Sequence, residues 1–292
     1  MKVGVQINRF NYPEGDSSIR NMLRSVAQGA ERADIDSLWV MDHFFQIGHL
    51  GPKTDPMLEA YTTLGFLAGV TEKPMLGTLV TGVIYREPAL LIKAVTTLDV
   101  VSGGRAYFGI GAGWNDEEAT ALALPNPLTS QRFDRLEDTL KLAKQMWAGD
   151  EKPFKGKLYE LPEPINRPQV LSRPHPPIMI GGGGEQKTLR MVAEYGDACN
   201  LFWNSGKDLI KHKLEVLRRH CDDVGRDYNE IEKTALVGFS VAQAAHSIDD
   251  IVATAKEMKN EGFNHLILRV GEEDDLSVYA KLRSVVDKLH EI

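Results

Sequence analysis

Along the chain the spacing of hydrophobic side chains switches repeatedly between two and about 3.6 residues, the periods of strands and helices. Eight strand-like runs stand out, at 3–8, 37–42, 75–81, 105–111, 177–182, 197–202, 234–241 and 263–269. A helical stripe follows each of them. Ile19, Met22, Leu23, Val26, Ala27 and Ala30 fall at i, i+3, i+4, i+7, i+8 and i+11, which places them on one face. Met57, Tyr61, Leu64 and Ala68 form a second stripe, and Leu91, Ala94, Val95, Leu98 and Val101 a third that opens at Pro88, where a missing N–H costs nothing. Phe133, Leu136, Leu140, Ala143 and Trp147 make a fourth, and later stripes occupy 189–193, 210–217, 248–258 and 279–289.

Strand and helix alternating through a whole chain predict a parallel sheet, because parallel neighbours need crossover connections. Eight such pairs in 292 residues predict a (β/α)8 barrel, with a doubly wound open sheet as the competitor. At this length roughly 75% of the unfolded surface is buried on folding, so one domain over 1–292 needs no disulfide or metal staple. Two segments exceed a minimal barrel, 114–131 and 149–176, and the second holds six of the fourteen prolines. Segments of that length are usually functional, so at least one is expected to cover the barrel mouth.

Composition narrows the function classes. Lys and Arg number 34 against 41 Asp and Glu, a net charge of −7, with no basic stretch to follow a phosphate backbone; nucleic acid is not an expected partner. No apolar run reaches ten residues, so neither a membrane span nor a secretory leader is expected. Cys199 and Cys221 lack metal-ligand or CxxC spacing, and the histidines are scattered without an HExxH pattern, so no metal is expected and a cytoplasmic location is. There is no GxSxG elbow for a nucleophilic serine.

In such a barrel ligands bind where strands run into their following loops. The second strand ends in Asp42-His43, an acid beside an imidazole. His43 suits proton transfer near neutral pH, and Asp42 suits bonding a cofactor or orienting the ring; the alternative is a capping aspartate beside a structural histidine. The fourth strand ends in Gly109-Ile110-Gly111-Ala112-Gly113-Trp114, with Trp114 where a dinucleotide fingerprint needs its last glycine. Close approach of a ligand and tight packing both explain that pattern. The fifth strand runs into Gly181-Gly182-Gly183-Gly184-Glu185-Gln186-Lys187-Thr188, amides at a helix start that suit an anion, although Gln186 breaks the P-loop pattern. Weaker candidates are Asn8, Thr81, Trp203, Asn204 and Arg269.

Taken in order, these segments resemble the luciferase-like monooxygenase superfamily, and within it the coenzyme F420-dependent (deazaflavin) oxidoreductases. The resemblance rests on SLWVMDHF at 37–44, LGTLVTG at 76–82 with YREPA at 85–89, TLDVVSGGR at 97–105 leading to GIGAGW at 109–114, and IGGGGE at 180–185 with YGDA at 195–198. It implies a bacterial-luciferase-like (β/α)8 barrel with insertions at the mouth, usually dimeric, holding the deazaflavin ring in the mouth. Asp42 would then contact the ring and His43 lie near its reacting carbon. Gly111, Ala112 and Gly113, with Gly181, Gly182, Gly183, Gly184 and Glu185, would line the coenzyme's phosphate and chain. Thr78, Leu79, Val80 and Thr81 would form a bulge under one ring face, with a non-prolyl cis peptide at Leu79-Val80.

The activity so implied is hydride transfer between C5 of the deazaflavin and a small organic substrate, with His43 managing the proton. Sugar-phosphate dehydrogenases of the family carry a glutamate where this chain has Trp114, and Glu117 and Glu118 are out of register. Glucose 6-phosphate is therefore not assigned; folate-like carriers, secondary alcohols and unsaturated carbonyls stay open. The rival readings are an FMN-dependent monooxygenase on the same barrel and a non-catalytic flavin-binding barrel.

Overall fold

The computed structural model describes residues 1–239, 248–270 and 276–291. Its first strand, β1 (Lys2–Ile7), is buried except at Lys2 and is followed by α1 (Ile19–Arg32), whose predicted stripe faces inward through Leu23, Val26, Ala27 and Ala30. Next come β2 (Ser37–Val40), α2 (Ala60–Ala68), β3 (Met75–Thr78) and the two-residue β4 (Thr81–Gly82). Helix α3 (Pro88–Val101) has its proline in the first turn, as the sequence predicts. After β5 (Ala106–Gly111) the chain forms the short helix α4 (Asp116–Ala121) and the long α5 (Thr129–Trp147). A small hairpin, β6 (Phe154–Lys155) and β7 (Glu160–Leu161), precedes β8 (Ile178–Gly181), α6 (Thr188–Tyr195), β9 (Ala198–Phe202) and α7 (Lys207–Val224). The chain ends in β10 (Glu232–Phe239), α8 (Ile248–Asn260), β11 (His265–Val270) and α9 (Ser277–His290).

The main strands pair in the order β3-β2-β1-β11-β10-β9-β8-β5, and β3 pairs β5, which closes the ring. All of these pairings are parallel, as between Val5 and Leu38 or Ile110 and Ile180. The fold is therefore the predicted (β/α)8 barrel and not the open sheet. Each predicted strand is present with its ends within three residues of those predicted; 240 and 241, the predicted end of the seventh, lie outside the described residues.

Alternate strand residues point inward and outward. Trp39, Tyr107, Met179, Ala198 and Ile267 meet in one cluster inside the barrel, while Leu38, Phe108, Ile178 and Leu266 join the larger core between strands and helices. Nine-tenths or more of each of these side chains is out of water, and complete burial of a Leu, Ile or Phe contributes about 1.5–3 kcal/mol before entropy is counted.

The two long connections go to opposite ends of the barrel. Segment 114–131 follows a strand and lies at the carboxyl end, carrying α4. Segment 149–176 follows a helix and is tied down on α3 and α5: Asp138 accepts the amides of Lys157, Leu158 and Tyr159, and Asp99 those of Leu171 and Ser172. Arg167-Pro168 and Arg173-Pro174 in it are cis.

Candidate functional site

At the carboxyl end of the strands lies a cavity of about 300 Å³. Its walls include Asp42 and His43 from the end of β2, Gly111, Ala112, Gly113 and Trp114 after β5, and the four glycines after β8. Leu79, Val80 and Thr81 form a further wall, and Leu79-Val80 is a cis peptide. Trp114 and Phe202 stand at the rim 62% and 61% exposed, which makes the entrance aromatic.

Two predicted residues stand outside the wall. Thr78 lies beneath it, its hydroxyl donating to the Gly109 carbonyl and accepting from Thr81, whose oxygen also meets the Tyr61 hydroxyl at 2.8 Å. Glu185 turns outward to α7, where one carboxylate oxygen lies 2.6 Å from Lys213 Nζ and 3.2 Å from His212 Nε2. Of the weaker candidates, Asn8 is buried and accepts Gln46 Nε2 at its backbone carbonyl, Trp203 packs edge-on against Phe263, and Asn204 is exposed. The Arg269 guanidinium lies over Gly238.

Asp42 and His43 are adjacent in sequence but have different partners. Both oxygens of the buried Asp42 carboxylate accept from Arg86, at 2.7 and 3.0 Å. Arg86 also bonds Glu59 and sits over the Tyr61 ring. Burial pushes the Asp42 carboxyl up from its ordinary value and the Arg86 fork pulls against it, while the two acids hold Arg86 charged.

His43 turns instead to Glu118, the acid that lies out of register by motif. Its Nδ1 is 2.9 Å from Glu118 Oε2. The same carboxylate accepts the Tyr85 hydroxyl at 2.7 Å, the Phe45 amide at 2.9 Å, the Phe44 amide and the Asn115 side-chain amide. Burial raises the Glu118 carboxyl, but the bonds from His43, Tyr85 and the Phe45 amide outweigh it and hold the group below its ordinary value. The other face of the imidazole meets the Trp114 indole edge-on, with centroids 5.5 Å apart. Glu118 and Arg86, and the cavity-wall residues Tyr85, Asn200 and Phe202, are not among the predicted site residues; only the helix stripe that 115–121 fails to make hints that Glu118 is placed for something other than packing.

The glycines divide into two kinds. A Cβ on Gly181 would lie 2.8 Å from a Val80 methyl carbon, so the absence of a side chain here makes room for the neighbouring wall. Gly182 has φ 111°, a region closed to most side chains. Beyond them the amides of Gly183 and Gly184 have no intramolecular partner among the described residues, and a Cβ on Gly183 would meet only ordinary contacts.

A closed parallel barrel whose site lies at the carboxyl ends of the strands, between a third strand interrupted at Leu79-Val80 and a glycine-rich fifth, defines the class. The chain belongs to the luciferase-like monooxygenase family, whose model matches residues 1–281. It is 32% identical over 222 residues to the F420-dependent glucose-6-phosphate dehydrogenase of Kineococcus radiotolerans, a match covering 75% of this chain and 63% of that enzyme. Among solved structures it resembles an F420-dependent secondary alcohol dehydrogenase in complex with an F420-acetone adduct (TM-score 0.80, 18% identity, 99% and 98% of the two chains). The monooxygenase RslO1 from Streptomyces bottropensis is as similar in fold (TM-score 0.80, 16% identity, 100% and 99%).

Among the described residues no helix is long and apolar enough to cross a membrane, and no group of three or more His, Cys, Asp and Glu is placed to hold a metal ion.

Proposed function

We propose that the protein is a coenzyme F420-dependent oxidoreductase acting on a small organic substrate, one catalytic barrel over 1–292. The observation that carries the reading is His43, anchored at Nδ1 and lining a cavity it shares with the glycine backbone after β5 and β8 and the apolar Leu79 and Val80. The relatedness to an F420-dependent dehydrogenase at 32% identity supports the choice of coenzyme.

The residues present fit such a group. Val80 and the cis-bonded Leu79 offer an apolar platform for a flat ring system. The amides of Gly183 and Gly184, without a partner among the described residues, suit a phosphate. When bound, a 5-deazaflavin supplies a ring carbon that accepts or gives up a hydride. The protein's part is placement and proton handling. His43 Nε2, free of hydrogen bonds among the described residues, takes the hydroxyl proton of an alcohol or returns it to a carbonyl oxygen. Trp114 packs edge-on against the imidazole at the rim.

Titration of the purified protein with F420 and with FMN, followed by fluorescence and absorbance, tests the reading. Micromolar or tighter binding of F420 alone supports it. Selective FMN binding with oxygen uptake overturns it in favour of the FMN-dependent monooxygenase, and binding without turnover in any donor screen favours the non-catalytic barrel. His43→Asn is expected to lower turnover by about 10²-fold or more with coenzyme affinity within threefold of wild type.

A further inference from the structure

We propose that Glu118 is the positioning residue of this site: it holds the His43 imidazole with its proton on Nδ1, so that Nε2 meets the substrate as a proton acceptor. The inference rests on His43 being the group that handles the substrate proton.

Glu118 has no exposed side-chain surface, yet every group against its carboxylate is a donor. An uncompensated buried carboxylate would neutralise itself. Here the bonds from His43, Tyr85 and the Phe45 amide keep the group ionised at neutral pH. An ionised carboxylate only accepts, so the Nδ1 atom 2.9 Å from Oε2 must carry hydrogen. A neutral imidazole has one N–H, and Nε2 is left with its lone pair.

The same carboxylate also fixes the backbone that bears the ring, because Oε1 accepts the amides of Phe44 and Phe45. Ring and main chain are thus set by one side chain, supplied 75 residues downstream by α4. Asn115 caps that helix by accepting the Glu118 amide and donates to Oε2, so it orients the acid in turn. The insertion at the mouth therefore sets the protonation geometry of β2 and does more than cover the cavity.

The replacement Glu118→Gln has a defined consequence. Its amide oxygen must stay with the two backbone donors, which turns the NH2 group towards His43. That group donates to Nδ1 and drives the ring proton to Nε2. A histidine held in the wrong tautomer loses about 10²–10⁴-fold in turnover.

Nitrogen-15 NMR of the coenzyme-free protein labelled at histidine tests this without a turnover assay, with the His43 signals assigned by their loss in His43→Gln. The wild-type spectrum is expected to show a protonated Nδ1 and a bare Nε2 at pH 7.5; the reverse pattern overturns the proposal. Glu118→Gln is expected to reverse the pattern and to lower kcat at least 10²-fold while KM changes less than threefold. Retention of wild-type kcat by a folded Glu118→Gln overturns it as well. Should that variant not fold, the wild-type spectrum decides alone. Absence of F420-linked turnover in the wild type would remove the functional reading and leave the tautomer result intact, so the two failures are distinguishable.

Discussion

Asp42 and Arg86, 44 residues apart, are joined by two hydrogen bonds at the carboxyl end of the second strand, the acid 1% exposed and the guanidinium 18%. A two-pronged bond of this kind fixes the plane of the carboxylate as well as its position. Arg86→Met leaves a buried carboxylate uncompensated and is expected to lower stability by roughly 3–5 kcal/mol. The double variant Asp42→Asn with Arg86→Met removes both charges and should recover part of that loss. Urea denaturation of the three variants measures it, and strict additivity of the two single changes would show that the pair does not act as a unit.

Gly181 and Gly183 are two residues apart and are expected to differ sharply on substitution. A Cβ at Gly181 lies 2.8 and 2.9 Å from the two Val80 methyl carbons, closer than atoms pack. Gly181→Ala must push Val80 into the cavity, at about 1–3 kcal/mol of overpacking, and F420 affinity should fall at least tenfold. At Gly183 the nearest atom to an added Cβ is 3.7 Å away. Gly183→Ala should therefore change stability by less than about 0.5 kcal/mol. Equal effects in thermal unfolding and coenzyme titration would contradict this division.

The barrel is legible because each strand writes its own period locally. Ser37 to Val40 and Ala106 to Gly111 are continuous buried runs, and α1 carries a stripe that names its buried face. The same local signal finds the wall residues Asp42, His43 and Val80, since they stand where period two ends. What spacing cannot find is the partner of each. Glu118 reaches His43 because β2 and β5 pair on either side of β3 and α4 folds back over the mouth, and Arg86 meets Asp42 because β2 and β3 pair directly. Nor does a glycine announce why it is a glycine. Gly109 reads as room for a ligand, yet a Cβ there would fall 1.8 Å from the Thr78 carbonyl oxygen. The proline-rich segment 149–176 looks as much like a lid as 114–131 does; only its place after a helix sends it to the far end.

Asp138 makes that far segment testable. Its buried carboxylate accepts three successive amides, those of Lys157, Leu158 and Tyr159, at 3.0, 2.7 and 3.3 Å. Asp138→Ala leaves these donors partly to solvent, so a loss of about 1–2 kcal/mol is expected. Local opening should appear as faster proteolysis within 149–176. Since none of the cavity wall comes from that segment, F420 affinity and turnover should be unchanged. A loss of affinity would mean that the segment is coupled to the mouth.

Glu232 gives the barrel an acid limit at its amino end. The carboxylate accepts the Tyr107 hydroxyl at 2.8 Å and lies 3.1 Å from both His265 Nδ1 and Lys2 Nζ; the other nitrogen of His265 meets the Ser37 hydroxyl, which also receives the Trp39 indole N–H. Burial works to raise the Glu232 carboxyl, and the bonds from His265 and Tyr107 with the charge of Lys2 overcome it and bring it down to about 2. A group depressed on folding contributes stability that is complete above its ordinary value of 4.5 and is lost as pH falls through the folded value near 2. The size of the shift corresponds to roughly 3 kcal/mol. Glu232→Gln has no proton to take up there, so it should be less stable than wild type at pH 6 and lose less than wild type between pH 5 and pH 2. Urea midpoints across that range check the sign. Parallel curves for the two proteins would show that Glu232 is bound no more tightly in the folded chain than in the unfolded one.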